Sequence, residues 1–143
     1  MDYGFSKTVG YSYEAAIEKV TEELKKEGFG VLTSIDVKDT MKKKLDVDFK
    51  KYVILGACNP PLAHKALTAE VDLGLLLPCN VIVYENDQKK TVVGFFDPRL
   101  MAKLVDNPKL EPIADDVASL SLDLLVREAG FRRGGVNPYL LGY

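Results

Sequence analysis

The stretch "CNVIVYENDQKKTVVGFFDP", residues 79–98, decides the fold. Two apolar runs, each short enough for one strand, flank the polar segment Glu85 to Lys89. That pattern predicts a β-hairpin, so at least part of the sheet is antiparallel. Asp97 is then expected to cap a short helix that opens with Pro98 and carries Leu100, Met101, Leu104 and Val105.

Upstream, "YVILGAC" (52–58) is a continuous apolar strand, and "PPLAHKALTAE" (60–70) is a helix with Asn59 as its cap. "DYGFSKTV" places Tyr3, Phe5, Lys7 and Val9 on one strand face. "SYEAAIEKVTEELKKEG" (12–28) predicts a helix with Ser12 as cap, Gly28 as stop, and one apolar stripe of Ala16, Ile17, Val20 and Leu24. "FGVLTSIDV" alternates again, so Phe29, Val31, Thr33, Ile35 and Val37 are expected to share a face. "KDTMKKKL" is a short helix. Last comes "PIADDVASLSLDLLVREAG". Ile113, Val117, Leu120 and Leu124 form one stripe; Ala114, Ala118, Leu122, Leu125 and Ala129 form a second beside it. So wide an arc predicts cover from two sides, by the chain's own sheet and by another subunit or the tail.

Strands thus cluster in the centre and a long helix closes the chain. This order predicts a two-layer α+β domain over residues 1–130, followed by a tail over 131–143. The 143-residue length suits one domain, with 47% hydrophobic and 28% charged residues. A net charge of -2 gives no hint of a nucleic-acid surface. The lysine runs at 42–44 and 50–51 are solvated faces with acidic neighbours. No signal-peptide h-region opens the chain, and apolar runs such as Leu75 to Pro78 are too short for a bilayer. The cytoplasm is the expected compartment, where two cysteines remain thiols.

The chemistry-bearing residues lie in "GACNPPLAHKAL" (56–67) and "GLLLPCN" (74–80). Cys58 ends a strand just before a helix, where free N–H groups and the helix dipole favour a thiolate. Cys79 starts a strand. Together with His64, the single histidine, they make three ligands suited to zinc or copper, although the spacing matches no common zinc motif. Helical geometry opposes this set: Leu62, Ala63, Ala66, Leu67 and Ala69 share a face, and His64 lies opposite with Lys65 and Thr68. Asn59 fits a capping role, whereas Asn80, in a strand, is a candidate to bridge backbone segments. Asp36, Asp72 and Asp97 stand at element ends, and no paired-acid, Ser/His/Asp, glycine-loop or H-E-x-x-H constellation is present.

The paired motifs Gly56-Ala57-Cys58-Asn59-Pro60 and Leu76-Leu77-Pro78-Cys79-Asn80, with Ala63, His64, Gly74 and Asp36, resemble the domain of unknown function 302 family. The likeness runs from about Tyr11 to about Ala129. It implies one strand, a helix, four strands and a helix: a curved, mainly antiparallel sheet with helices on one face, similar to TATA-binding-protein-like or helix-grip folds. It also implies a homodimer, and no agreed activity. The expectation is therefore a small cytoplasmic homodimer that binds a metal ion or a thiol-reactive small ligand, with no nucleic-acid or membrane partner. Cys58, Asn59, His64, Cys79 and Asn80 are its candidate ligand-binding residues. The alternatives are a redox or sulfur-transfer enzyme with Cys58 as nucleophile, Cys79 as resolving thiol and His64 as base, or an interaction domain with buried cysteines.

Overall fold

The computed structural model describes residues 2–128. The chain runs β1 (Gly4–Val9), α1 (Tyr13–Lys26), β2 (Gly30–Asp36), α2 (Val37–Leu45), β3 (Tyr52–Cys58), α3 (Pro60–Ala69), β4 (Cys79–Glu85), β5 (Thr91–Phe96), α4 (Arg99–Val105) and α5 (Glu111–Glu128). A 3₁₀ lobe, Val71–Leu76, lies between α3 and β4, and a short 3₁₀ turn, Pro108–Leu110, precedes α5. The five strands form one sheet in the order β1-β5-β4-β3-β2, and every pairing is antiparallel. This is an α+β fold.

Local signals set the element ends. The Ser12 hydroxyl accepts from the Ala15 N–H at 3.1 Å and starts α1. Gly28, at φ 82°, ends that helix in a conformation that favours glycine. Asp36 accepts from the Asp39 N–H at 2.9 Å and starts α2. In the β4–β5 hairpin, the Asn86 side chain accepts from the N–H groups of Gln88 and Lys90, both at 3.0 Å. Asp97 accepts from the Arg99 N–H at 3.0 Å and also grips the Arg99 guanidinium.

Strand alternation sorts the core. Phe5, Val53, Leu55, Val81, Val83, Val93 and Phe95 point to one face, where Ala16, Val20 and Leu24 of α1 and Val117 and Leu122 of α5 meet them. A second, smaller cluster joins Ala66 of α3, Leu73, Met101 and Ala102 of α4, Leu110, and Ala114 of α5. Val117 and Leu122 thus serve the first cluster and Ala114 the second. The described part of the wide α5 arc is covered from within its own chain, so it does not require another subunit. The expected stripe members Leu124 and Leu125 (as side chains), Ala129, and the tail 131–143 lie outside the described residues.

One expected face is split. Val31 pairs with Ala57, but Thr33 pairs with Gly56, so Leu32 is an extra residue in β2. A bulge of this kind reverses which way the following residues point. Val31 therefore joins the helix-covered face, while Thr33 and Ile35 lie on the opposite one. That opposite face also carries Ser6, Thr8, Tyr52, Ile54, Asn80, Ile82, Tyr84, Val92, Gly94 and Phe96, and no charged residue.

Gly56 lets the bulge sit flush. A Cβ there would collide with the Thr33 hydroxyl and come within 2.7 Å of Pro78 Cγ. Gly56→Ala is expected to cost about 1–3 kcal/mol, as overpacking does where a rigid ring cannot move aside. Urea unfolding of the variant against the parent protein measures it.

Candidate functional site

Cys58 and Cys79 occupy facing ends of adjacent strands. Cys58 is the last residue of β3, Cys79 is the first of β4, and Cys79 pairs across the ladder with Ala57. The chain reaches α3 immediately after Cys58, and Asn59 turns it. The Asn59 side-chain oxygen accepts from the Leu62 N–H at 3.3 Å, while its side-chain amide donates to the Glu27 carbonyl at 3.4 Å. One side chain thus caps α3 and ties its start to the end of α1.

Both cysteines line one cavity of about 330 Å³. Its floor is the end of the sheet, with Phe29, Thr33 and Ala57; Leu62, Ala63 and Ala66 of α3 form one wall, and Ile113, Ala114 and Val117 of α5 form another. Met101 and Ala102 of α4 and Leu110 close the far side. Among the described residues, no lining side chain is Asp, Glu, Lys, Arg or His. Cys79 touches both hydrophobic clusters, so the cavity lies where the two parts of the core meet.

This setting controls the sulfur. Burial pushes the Cys79 thiol up to about 11, and the nearby Cys58 sulfur adds a smaller push in the same direction. At neutral pH Cys79 is a neutral thiol. Metal ligation and nucleophilic attack both need the thiolate, and the apolar lining offers it no counter-charge.

The other expected site residues divide sharply. Asn59 lines the cavity with the cysteines. His64 is exposed on the outer side of α3 with Lys65 and Thr68, and it does not line the cavity. The expected Cys58–His64–Cys79 ligand set therefore does not assemble. Among the described residues, no three His, Cys, Asp or Glu side chains are grouped to hold a metal ion. Asn80 is also separated: it follows Cys79 in the strand, so it points to the opposite face, where it is exposed. The α4 and α5 residues of the cavity were not legible as site residues, because small and aliphatic side chains at helical spacing signal only core.

A small α+β domain whose sheet end and helices line an open-mouthed, uncharged, cysteine-bearing cavity is the class that this structure defines. The family model named Domain of unknown function DUF302 matches residues 5–125, and the chain belongs to that family. The crystal structure of an uncharacterized conserved protein DUF302 from Bacillus stearothermophilus has the same fold, with a TM-score of 0.83 and 31% sequence identity. That match covers 90% of this chain and 99% of the Bacillus chain. A local likeness of another kind links the chain to a protein named Protein FdhE homolog. The Rhizobium meliloti protein is 54% identical over 37 residues, 26% of this chain and 12% of its own. The Haemophilus influenzae protein is 50% identical over 34 residues, 24% of this chain and 11% of its own. The chain thus spans only about an eighth of these relatives' length. No helix among the described residues is long and apolar enough to cross a membrane.

The raised Cys79 value makes a signed prediction. Between the ordinary thiol value of 9.0 and about 11, the unfolded chain loses its Cys79 proton first and binds fewer protons than the folded chain. The stability that Cys79 contributes is therefore full below pH 9 and is lost as pH rises toward 11. The stability of Cys79→Ala is expected to fall less steeply with pH over that window than that of the parent protein, measured by urea unfolding. Near neutral pH, iodoacetamide should label Cys79 only once the protein unfolds.

Proposed function

We propose that the protein binds an uncharged, largely apolar small molecule in the cavity bounded by Cys58 and Cys79. One observation carries this reading: the cavity is walled from three strands, three helices and both 3₁₀ segments, yet among the described residues no lining side chain is Asp, Glu, Lys, Arg or His. Its volume falls at the lower end of the range of about 300–1,000 Å³ usual for small-molecule sites. A charged ligand would leave water for a wall with nothing to pair it, which is strongly unfavourable. The Cys79 thiol, held neutral, serves as a polarizable wall and a weak hydrogen-bond donor. Asn59, at the sheet end, is a polar lining group that would fix the orientation of a single polar atom on the ligand.

This narrows the expected ligand. A metal ion loses support because His64 lies elsewhere and Cys79 holds its proton. A sulfur-transfer or redox role that used Cys79 as a resolving thiolate meets the same obstacle.

The test is a titration with N-phenyl-1-naphthylamine, an uncharged probe that fluoresces in apolar surroundings. Saturable binding at one site per chain is expected. Ala66→Leu and Ala114→Leu each extend the wall into the cavity, and each should weaken binding by about tenfold or more, the equivalent of about 1.4 kcal/mol. Circular dichroism confirms that the variants fold. Absence of probe binding by the parent protein, or equal binding by both folded variants, would sink the proposal.

A further inference from the structure

The cysteine cavity has a direction. At one end stand Leu32, the extra residue of the β2 bulge, 68% exposed, and Leu67 of α3, 37% exposed. At the other end Leu73, Pro98, Met101, Ala102 and Leu110 are all buried. Leu32 and Leu67 therefore mark the mouth, and the end against α4 is blind.

The cavity is also long. From its mouth at β2 the lining passes Ala57 of β3 and Cys79 of β4 and reaches Pro98, just beyond β5. Three strand spacings of about 4.8 Å make that path about 14 Å, whereas a sphere of about 330 Å³ is only about 9 Å across. The space is a slot that crosses the sheet end.

Its walls are aliphatic and shallow. Ala57 lies beneath, Ala63 and Ala66 project from α3, and Ala102 and Ala114 from α4 and α5. Among the described lining residues Phe29 is the one aromatic side chain. A flat aromatic guest gains most from stacked or edge-on rings, and this wall supplies little of either. A flexible aliphatic guest needs only many weak contacts with methyl and methylene groups, which the slot offers along its whole length.

We infer that the ligand is a straight alkyl chain that enters end first. Its tail lies against Met101 and Ala102, and its uncharged polar head stays in water beside Leu32 and Leu67. This rests on the cavity being a small-molecule site and adds the class and direction of the guest. The β2 bulge gains a role as well, because its extra residue supplies the apolar rim of the mouth.

Displacement of bound N-phenyl-1-naphthylamine by straight-chain primary alcohols, from hexanol to decanol, tests the inference. Each added methylene should tighten binding about fourfold while the slot is filling, so decanol should bind roughly two hundredfold more tightly than hexanol. Ala102→Leu shortens the blind end and should cut that ratio about tenfold or more, with hexanol binding nearly unchanged. Ala102→Val is a smaller step in the same direction, and circular dichroism confirms that each variant folds. Leu32→Ser, at the mouth, should leave the ratio as it is. The inference fails alone if the probe binds but the alcohols do not displace it. It also fails alone if decanol and hexanol compete equally, or if the folded Ala102 variants keep the parent ratio. It fails alone, too, if Leu32→Ser lowers the ratio as far as they do. If the probe itself does not bind, the inference falls together with the reading of the cavity on which it rests.

Discussion

Gly56 has room for a hydrogen atom and nothing larger, and the site is built around that constraint. The Thr33 side chain from the β2 bulge and the Pro78 ring before β4 close on Gly56 from neighbouring strands. A side chain there would hold them apart. With none, the sheet end draws tight, and Cys58, two residues on, stays close to Cys79 at the start of β4. The close approach also fixes the ladder in which Ala57 faces Cys79. That register decides which residues of β3 and β4 look into the helices and which look out.

The same sheet end divides two surfaces. Leu77 and Pro78 line both the cysteine cavity and a groove on the open face of the sheet, turned away from α1 and α5. On one side of this wall, α3, α4 and α5 line the cavity. On the other, the chain presents a broad neutral surface. The wall is a single short segment whose proline packs against Gly56.

How much of this was legible in the sequence depended on the range of the interaction that set each feature. Ser12 and Asn59 act through bonds to a residue three positions on, so local pattern found the starts of α1 and α3. Asp36 caps α2 in the same way, but the alternation of the strand before it ran on through Val37 and hid that start. The β4–β5 hairpin and the order of elements followed from alternation and turn chemistry. The β2 bulge did not, because an extra residue at Leu32 leaves the hydrophobic pattern of "FGVLTSIDV" intact while reversing the faces after it. The wide arc of α5 was visible, but which part of the chain covers it was not. His64 was correctly placed off the apolar face of its helix. Asn80 was grouped with Cys79 because they are adjacent, although adjacency in a strand is what sends two side chains to opposite faces. The cavity itself was out of reach: its walls come from segments as far apart as Phe29 and Val117.

The paired Cys-Asn motifs consequently do different work from what their symmetry implies. In the first, Asn59 fixes α3 to the end of α1, and Cys58 opens onto the cavity. In the second, Cys79 belongs to the cavity and Asn80 to the open face. Cys79, expected as the resolving thiol of a pair, is the one whose surroundings keep its proton on. A half-buried thiol with no cation, no histidine and no helix N-terminus of its own among the described residues has little means of stabilising a negative charge. What it retains is a compact, polarizable surface at the junction of two hydrophobic clusters. That property suits contact with an apolar guest, and it argues that the cysteines help shape the cavity.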